Sequence, residues 1–296
     1  MTALGACGGP RHTSGDVLAA GQPAAILILA LAPERLIGWP RRPQASALRL
    51  LGGAELPETG ALASSGAPAG LEAMAALRPK LILDYGDIDS RYRVLAERAE
   101  RRTGVPYRLL DGTLAATPEA IRDAGALLGR DSRGRALADR AASLLDRWRR
   151  RGRSAPSFYY ARGGDGLETG FAGSLATEVL EGAGWANVAV GGRGIGRVPR
   201  EAVAAWNPEL IVTLDAGFAR AAHADRVWTE RRDGRRRGVL LLPDLPCGWI
   251  DRPPSVNRLL GCAWLVGGDA LARDTAAWLW RIPPERLAAL AVRRLG

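Results

Sequence analysis

The residues of this chain best suited to chemistry stand at the ends of short apolar runs. Trp39 closes RLIGW, Asp84 and Tyr85 close KLILDY, and Tyr160 and Arg162 close SFYYAR. Asp215 ends ELIVTLD, and Asp244 follows GVLLLP. Trp249, Asp251 and Arg252 sit together in GWIDRPPS, ahead of a helix expected to open at Ser255. In open α/β sheets, ligands bind outside the carboxyl ends of the strands. Trp and Tyr supply broad apolar walls with polar tips. Arg supplies a planar fork of donors that matches carboxylates and hydroxamates. This combination describes a binding cleft. No nucleophile elbow, phosphate loop or catalytic triad accompanies it. Gly192-Arg193-Gly194-Ile195-Gly196 lacks the full spacing of a dinucleotide loop and leads into Arg-Val-Pro, so it reads as a connector.

Metal and thiol chemistry have little to work with. His12 and His223 are the only histidines, and Cys7, Cys247 and Cys262 are the only cysteines. Three cysteines at long spacing form neither a disulfide framework nor a zinc site. Free buried thiols and a Cys247–Cys262 bridge both remain open readings. No cofactor is implied.

These residues need a scaffold of strands and helices in alternation, and the chain supplies it. Strands are expected at 16–20, 35–40, 80–86, 106–112, 157–163, 209–215 and 238–246. Helices are expected at 24–32, 71–79, 92–104, 117–130, 174–184 and 200–208, with closing helices from Ser255 onward and a tail helix over PPERLAALAVRRLG. Such alternation is the signature of a parallel sheet covered by helices. The stretch 132–151 carries apolar residues near every third or fourth place (Ala136, Leu137, Ala141, Leu144, Leu145, Trp148) and predicts one long helix. The fold class is therefore α/β, with two Rossmann-like lobes joined by a single long helix. The boundaries are an N-terminal segment 1–15, a first lobe 16–131, a linking helix 132–153 and a second lobe 154–296. LEAMAALRPKLILD at 71–84 parallels REAVAAWNPELIVTLD at 200–215, which marks the lobes as related units.

With 296 residues, 47% of them hydrophobic, the chain can bury a sizeable core. Its formal charge is +10, nearly all of it Arg, because Lys80 is the only lysine. The arginines are dispersed, with clusters only at 147–153 and 231–237, and no nucleic-acid-binding signature joins them. A solvated basic surface is the expectation. The longest apolar run, AAILILALA, falls well short of the roughly 20 residues that span a bilayer. Leu4-Gly5-Ala6-Cys7 has the shape of a lipoprotein cleavage box, without an apolar run before it.

Five stretches in order carry a resemblance: PAAILILALAPERLIGWP, LEAMAALRPKLILDYG, YYARGGDGLETG, REAVAAWNPELIV and GWIDRPPSVNRLLG. Over Asp16 to Trp280 the chain resembles the class III periplasmic substrate-binding proteins of ABC importers, which serve ferric siderophores, haem, vitamin B12 and some oxyanions. The resemblance implies a non-enzymatic, monomeric receptor in the periplasm, free or lipid-anchored through Cys7. It would hold a metal chelate between its lobes and deliver it to an ABC permease dimer with its ATPase subunits. A ferric siderophore is the first choice, with cobalamin, haem or a molybdate-type oxyanion as alternatives. The implied ligand contacts are Trp39, Tyr85, Tyr160, Arg162, Trp249 and Arg252. Glu72 and Glu201, one per lobe, would dock the permease, although a Glu near a helix start is stabilising in any case. Asp251 and Arg252 would pair with each other or leave Arg252 facing an anionic ligand. Trp148, Trp206, Trp278 and Trp280 are expected in the core. One departure stands out: MTALGACGGPRHTSG supplies neither the secretion signal nor the β-hairpin usual in the family. A metal-cluster enzyme of related α/β layout would want more cysteines, and a sensor without transport is the remaining alternative.

Overall fold

A computed structural model describes residues 15–53, 55–62, 74–150 and 156–295. The first lobe is built on a three-stranded parallel sheet in the order β1 (Val17–Ala19), β2 (Leu81–Gly86), β3 (Tyr107–Asp111). Helix α1 (Gln22–Leu31) follows β1 and is buried along Ala24–Leu31, which is why its sequence is apolar all round. Pro33 stops it, and a short 3-10 turn covers Pro33–Arg35. The expected strand at 35–40 does not form as a ladder. Leu36 and Trp39 make single parallel bridges, to Val17 and Glu58, because Pro40 ends the run before a register is established. Helix α2 spans Ala45–Leu51. Helix α3 (Ser90–Thr103) starts on the Asp89 side chain, which accepts from Tyr92 N–H, and ends at Gly104 with φ 68°. Helix α4 (Thr117–Leu127) has Pro118 in its first turn, with Ala116 rather than Thr117 at the cap.

The long helix is α5, Asp131–Arg149, whose stripe Leu137, Ala141, Leu144, Leu145 and Trp148 is buried as the periodicity requires, while Ala136, expected in the stripe, is exposed because it falls one residue off that face. The second lobe holds a five-stranded sheet ordered β10-β9-β8-β4-β6. Its members are β4 (Ser157–Ala161), β6 (Ala186–Asn187), β8 (Leu210–Thr213), β9 (Gly238–Leu241) and β10 (Arg293–Leu295). All pair in parallel except β10, which is antiparallel to β9. A separate antiparallel pair joins β5 (Glu168–Gly170) to β7 (Ile195–Arg197). The helices are α6 (Glu178–Glu181), α7 (Arg200–Trp206), α8 (Ala216–Ala222), α9 (Arg226–Thr229) and α10 (Arg258–Trp280).

Three expectations are corrected here, and one is met. The helix expected at 174–184 is one turn, α6, because Ser174 and Thr177 spend their hydroxyls on local bonds. The helix expected to open at Ser255 opens at Arg258. The two expected closing helices are both present within Arg258–Trp280, separated by a kink where Gly267 and Gly268 leave helical geometry. The tail helix is absent: after a 3-10 turn at Pro284–Leu287, the chain extends and pairs with the edge of β9. That pairing is a tertiary contact which helical periodicity in the tail could not reveal. Cys247 and Cys262 are both free and buried, and burial pushes each thiol pKa up. Trp148 and Trp280 are core, while Trp206 and Trp278 are half-buried.

Candidate functional site

A cleft of about 900 Å³ lies between the lobes. Its first-lobe bank comes from the start of α1, the segment Pro40–Gln44, and the end of β2 from Asp84 to Asp87. Its second-lobe bank comes from Arg162 after β4, from Asp244–Cys247 after β9, and from Asp251–Pro254. The strand ends thus meet where a doubly wound fold places ligands.

The second-lobe floor is a fixed ionic group. Tyr160 O–H donates to Asp251 Oδ2 at 3.1 Å. Arg162 Nε lies 3.1 Å from the same oxygen, and Arg162 Nη1 donates to Glu168 Oε1 at 2.6 Å. Burial opposes the charge of Arg162, but Asp251, Tyr160 and Glu168 outweigh it and raise the pKa. Burial, then the Asp251 carboxylate, pushes the Tyr160 phenol well up. Asp251 therefore pairs with Arg162, and Arg252 has no carboxylate within 4 Å among the described residues. Arg252 is held at φ 64°, a backbone region that costs a non-glycine residue about 1–3 kcal/mol and persists where surrounding structure imposes it.

The first-lobe bank carries both signs. Tyr85 O–H and Thr117 Oγ1 are hydrogen-bonded at 3.1 Å. Asp84 accepts from Tyr107 O–H at 2.7 Å and from Tyr85 N–H at 2.9 Å, yet burial outweighs both bonds and raises its pKa. Asp87 is raised by burial and then by the like charge of Asp89. Tyr92 is raised by burial and by Asp87. Above them, Gln22 Oε1 accepts from the Arg41 backbone N–H, and Glu58 from that of Arg42. These bonds fix the backbone of an exposed arginine pair. No carboxylate stands within 4 Å of the Arg41 guanidinium among the described residues.

The lobes are clasped below the cleft. Ser255 Oγ donates to Pro23 C=O across it at 2.7 Å, which is the role this side chain has in place of capping a helix. Arg258, fully buried, donates to Glu178 Oε2 at 2.7 Å, to Ser255 C=O at 3.2 Å and to Gly112 C=O in the first lobe. Glu178 also accepts from Leu114 N–H at 2.9 Å.

The expected contacts separate into two groups. Arg162 and Arg252 line the cleft, and Tyr85 lies at its wall but is buried, 1% exposed. Trp39, Trp249 and Tyr160 do not: all three are 0% exposed. Trp39 donates its indole N–H to Gly53 C=O at 2.9 Å, and Trp249 donates its own to Leu245 C=O at 3.0 Å. A Trp whose N–H finds a local carbonyl packs more stably inside than on a wet wall. Both support the loops that carry Arg41 and Arg252. Sequence reasoning missed Arg41 and Arg42, although the Pro-Arg-Arg-Pro after an apolar run was a visible signal. It also missed Arg258 and Glu178, which only the tertiary fold brings together. Glu201 is exposed in the first turn of α7, with no ion pair among the described residues. Glu72 lies outside the described residues, as does Cys7.

No protein-family model and no curated protein sequence matches the chain. Solved structures do. An ABC transporter solute binding protein from Sulfurospirillum deleyianum aligns with TM-score 0.79 at 23% identity, covering 95% of this chain and 94% of that one. The Haemophilus influenzae molybdate-binding protein MolA aligns with TM-score 0.67 at 18% identity, covering 91% and 94%. The haem-binding protein RhuT from Roseiflexus sp. RS-1 aligns with TM-score 0.59 at 20% identity, covering 90% and 98%. The chain has the fold of the class III periplasmic solute-binding proteins.

Proposed function

We propose that this protein is the substrate-binding component of an ABC importer, and that it captures an anionic metal chelate, a ferric siderophore, in the inter-lobe cleft. One observation carries the reading: two guanidiniums without carboxylate partners among the described residues, Arg41 and Arg252, stand on opposite banks of a cleft of about 900 Å³. That volume suits a ligand of drug size and exceeds what a tetrahedral oxyanion needs. Among the described residues no group of three or more His, Cys, Asp or Glu could hold a bare metal ion, so the ligand brings its own coordination shell. Haem would want an axial donor. Tyr85 and Tyr160 have committed their hydroxyls, and Tyr92 is shifted away from phenolate. The role is capture and delivery, without catalysis. No described helix is long and apolar enough to cross a membrane, which fits a receptor that meets its permease by docking. Glu201 and its counterpart in the matching stretch, Glu72, are the docking groups.

Gel filtration after incubation with ferric hydroxamates, ferric catecholates, haem, cobalamin and molybdate tests the ligand class. Co-elution of a ferric siderophore supports the proposal; retention of molybdate or haem alone contradicts the class, and retention of none contradicts the receptor role. In cells, Glu72→Ala with Glu201→Ala should abolish uptake and leave ligand affinity intact. Unchanged uptake would remove the docking assignment.

A further inference from the structure

The sheet of the first lobe ends at β3, and the outward edge of that strand has no partner strand among the described residues. Hydrogen-bond parity shows which groups face out. Ile82 N–H donates to Pro106 C=O and Gly112 N–H to Gly86 C=O, both at 2.8 Å, so alternate residues from Pro106 to Gly112 bond to β2. Tyr107, Leu109 and Asp111 turn their backbone groups the other way. Tyr107 is satisfied by side chains, its N–H donating to Glu100 at 3.2 Å and its C=O accepting from Arg108 at 2.9 Å. The outward groups of Leu109 and Asp111 have no hydrogen-bond partner among the described residues. An unpaired strand edge is a template for another chain.

This edge lies in a groove of about 450 Å³ between α3 and α4. Glu97, Glu100, Glu119 and Asp123 rim it together with Arg93, and Glu97 and Glu100 are paired with Arg101 and Arg108. Glu119 and Asp123 have no cation within 4 Å among the described residues. The second lobe shows what such an edge accepts. The matching stretches at 71–84 and 200–215 align β2 with β8, and the next parallel strand on that side is β3 in one lobe and β9 in the other. The outer edge of β9 is covered by antiparallel β10, with Arg293 opposite Leu241 and Leu295 opposite Val239. The covering strand is Arg-Arg-Leu.

We propose that the β3 edge is a strand-addition site for an extended basic segment of a partner protein, docked antiparallel as a fourth strand. Backbone bonds to Leu109 and Asp111 would give affinity, and the carboxylate rim would select Arg or Lys. A second copy of this chain fits poorly, because β3 against β3 brings two acidic rims together, and the chain's own basic strand is already paired with β9.

The test is amide hydrogen exchange on the full chain, with the peptide Ala-Val-Arg-Arg-Leu-Gly (residues 291–296) as probe and Ala-Val-Glu-Glu-Leu-Gly as control. In the free protein, the Leu109 amide should exchange fast and that of Leu110, which faces β2, slowly. The Arg peptide at millimolar concentration should slow Leu109 by at least ~10-fold. The Glu peptide should not, and Glu119→Lys with Asp123→Lys, both at exposed helix positions, should cancel the protection. A slow Leu109 amide in the free chain would show that the edge is already covered. That result, equal protection by both peptides, or no protection by either would overturn the proposal.

Discussion

Arg162 and Asp84 show how single residues set the character of the cleft. Arg162 is held from two sides by carboxylates, so its position is fixed before any ligand arrives. Asp84 is the opposite case, a carboxyl whose burial outweighs its two donors. Its folded pKa lies above its unfolded value. Between those values the native state holds the extra proton, so stability falls as pH rises through that window. Asp84→Asn should remove this fall. In urea unfolding from pH 4 to 7, the difference between variant and parent should move in the variant's favour with rising pH, by at most about 1.4 kcal/mol per pH unit. A pH-independent difference would show that Asp84 titrates normally. Tyr85 and Arg162 were legible near the cleft because strand ends in this architecture point there, and Arg252 because a Pro-stiffened loop follows the last parallel strand. Trp39 and Trp249 were misplaced because an aromatic residue at a strand end is compatible with wall and core alike; only the carbonyl within reach of each indole decides.

At the scale of elements, helices α4 and α5 cross on a glycine pair. A Cβ on Gly125 would stand 2.7 Å from Gly134 Cα, and one on Gly134 would stand 2.9 Å from Gly125 Cα. Both obstacles are backbone, which cannot rotate away. Helix propensity alone would have Gly125→Ala stabilise the chain by about 1 kcal/mol. Close packing reverses the sign, and a loss of roughly 1–3 kcal/mol is expected in thermal or urea unfolding. An increase in stability would mean that the crossing is looser than described. The strands β2, β4 and β8 and the helices α1, α3 and α5 were readable because each has one strong local signal: an apolar run, a cap or a stripe. Strand β10 was not, because its partner is β9, distant in sequence, and PPERLAALAVRRLG by itself has helical composition.

At the scale of the whole molecule, the two lobes share polar bonds as well as apolar core. Arg258 is the largest of these connections. Arg258→Met would leave Glu178 and the Gly112 and Leu175 carbonyls short of a donor. A loss of about 3–5 kcal/mol is expected, and a loss under about 1 kcal/mol would show that the clasp is dispensable. Such a clasp suits a receptor that presents a preformed cleft. Under the proposed function, the net charge of +10 would matter mainly at the cleft, where the field of Arg41, Arg42 and Arg252 would draw in an anionic ligand.

The central claim is that an anionic chelate is held by both banks at once. The direct measurement is a tryptophan-fluorescence titration of the parent, Arg41→Ala and Arg252→Ala with a ferric siderophore carrying net negative charge. Saturable quenching at micromolar or tighter affinity is predicted, weakened by about 10-fold or more in each variant. Equal affinity in all three proteins, or no saturable response in the parent, would contradict it.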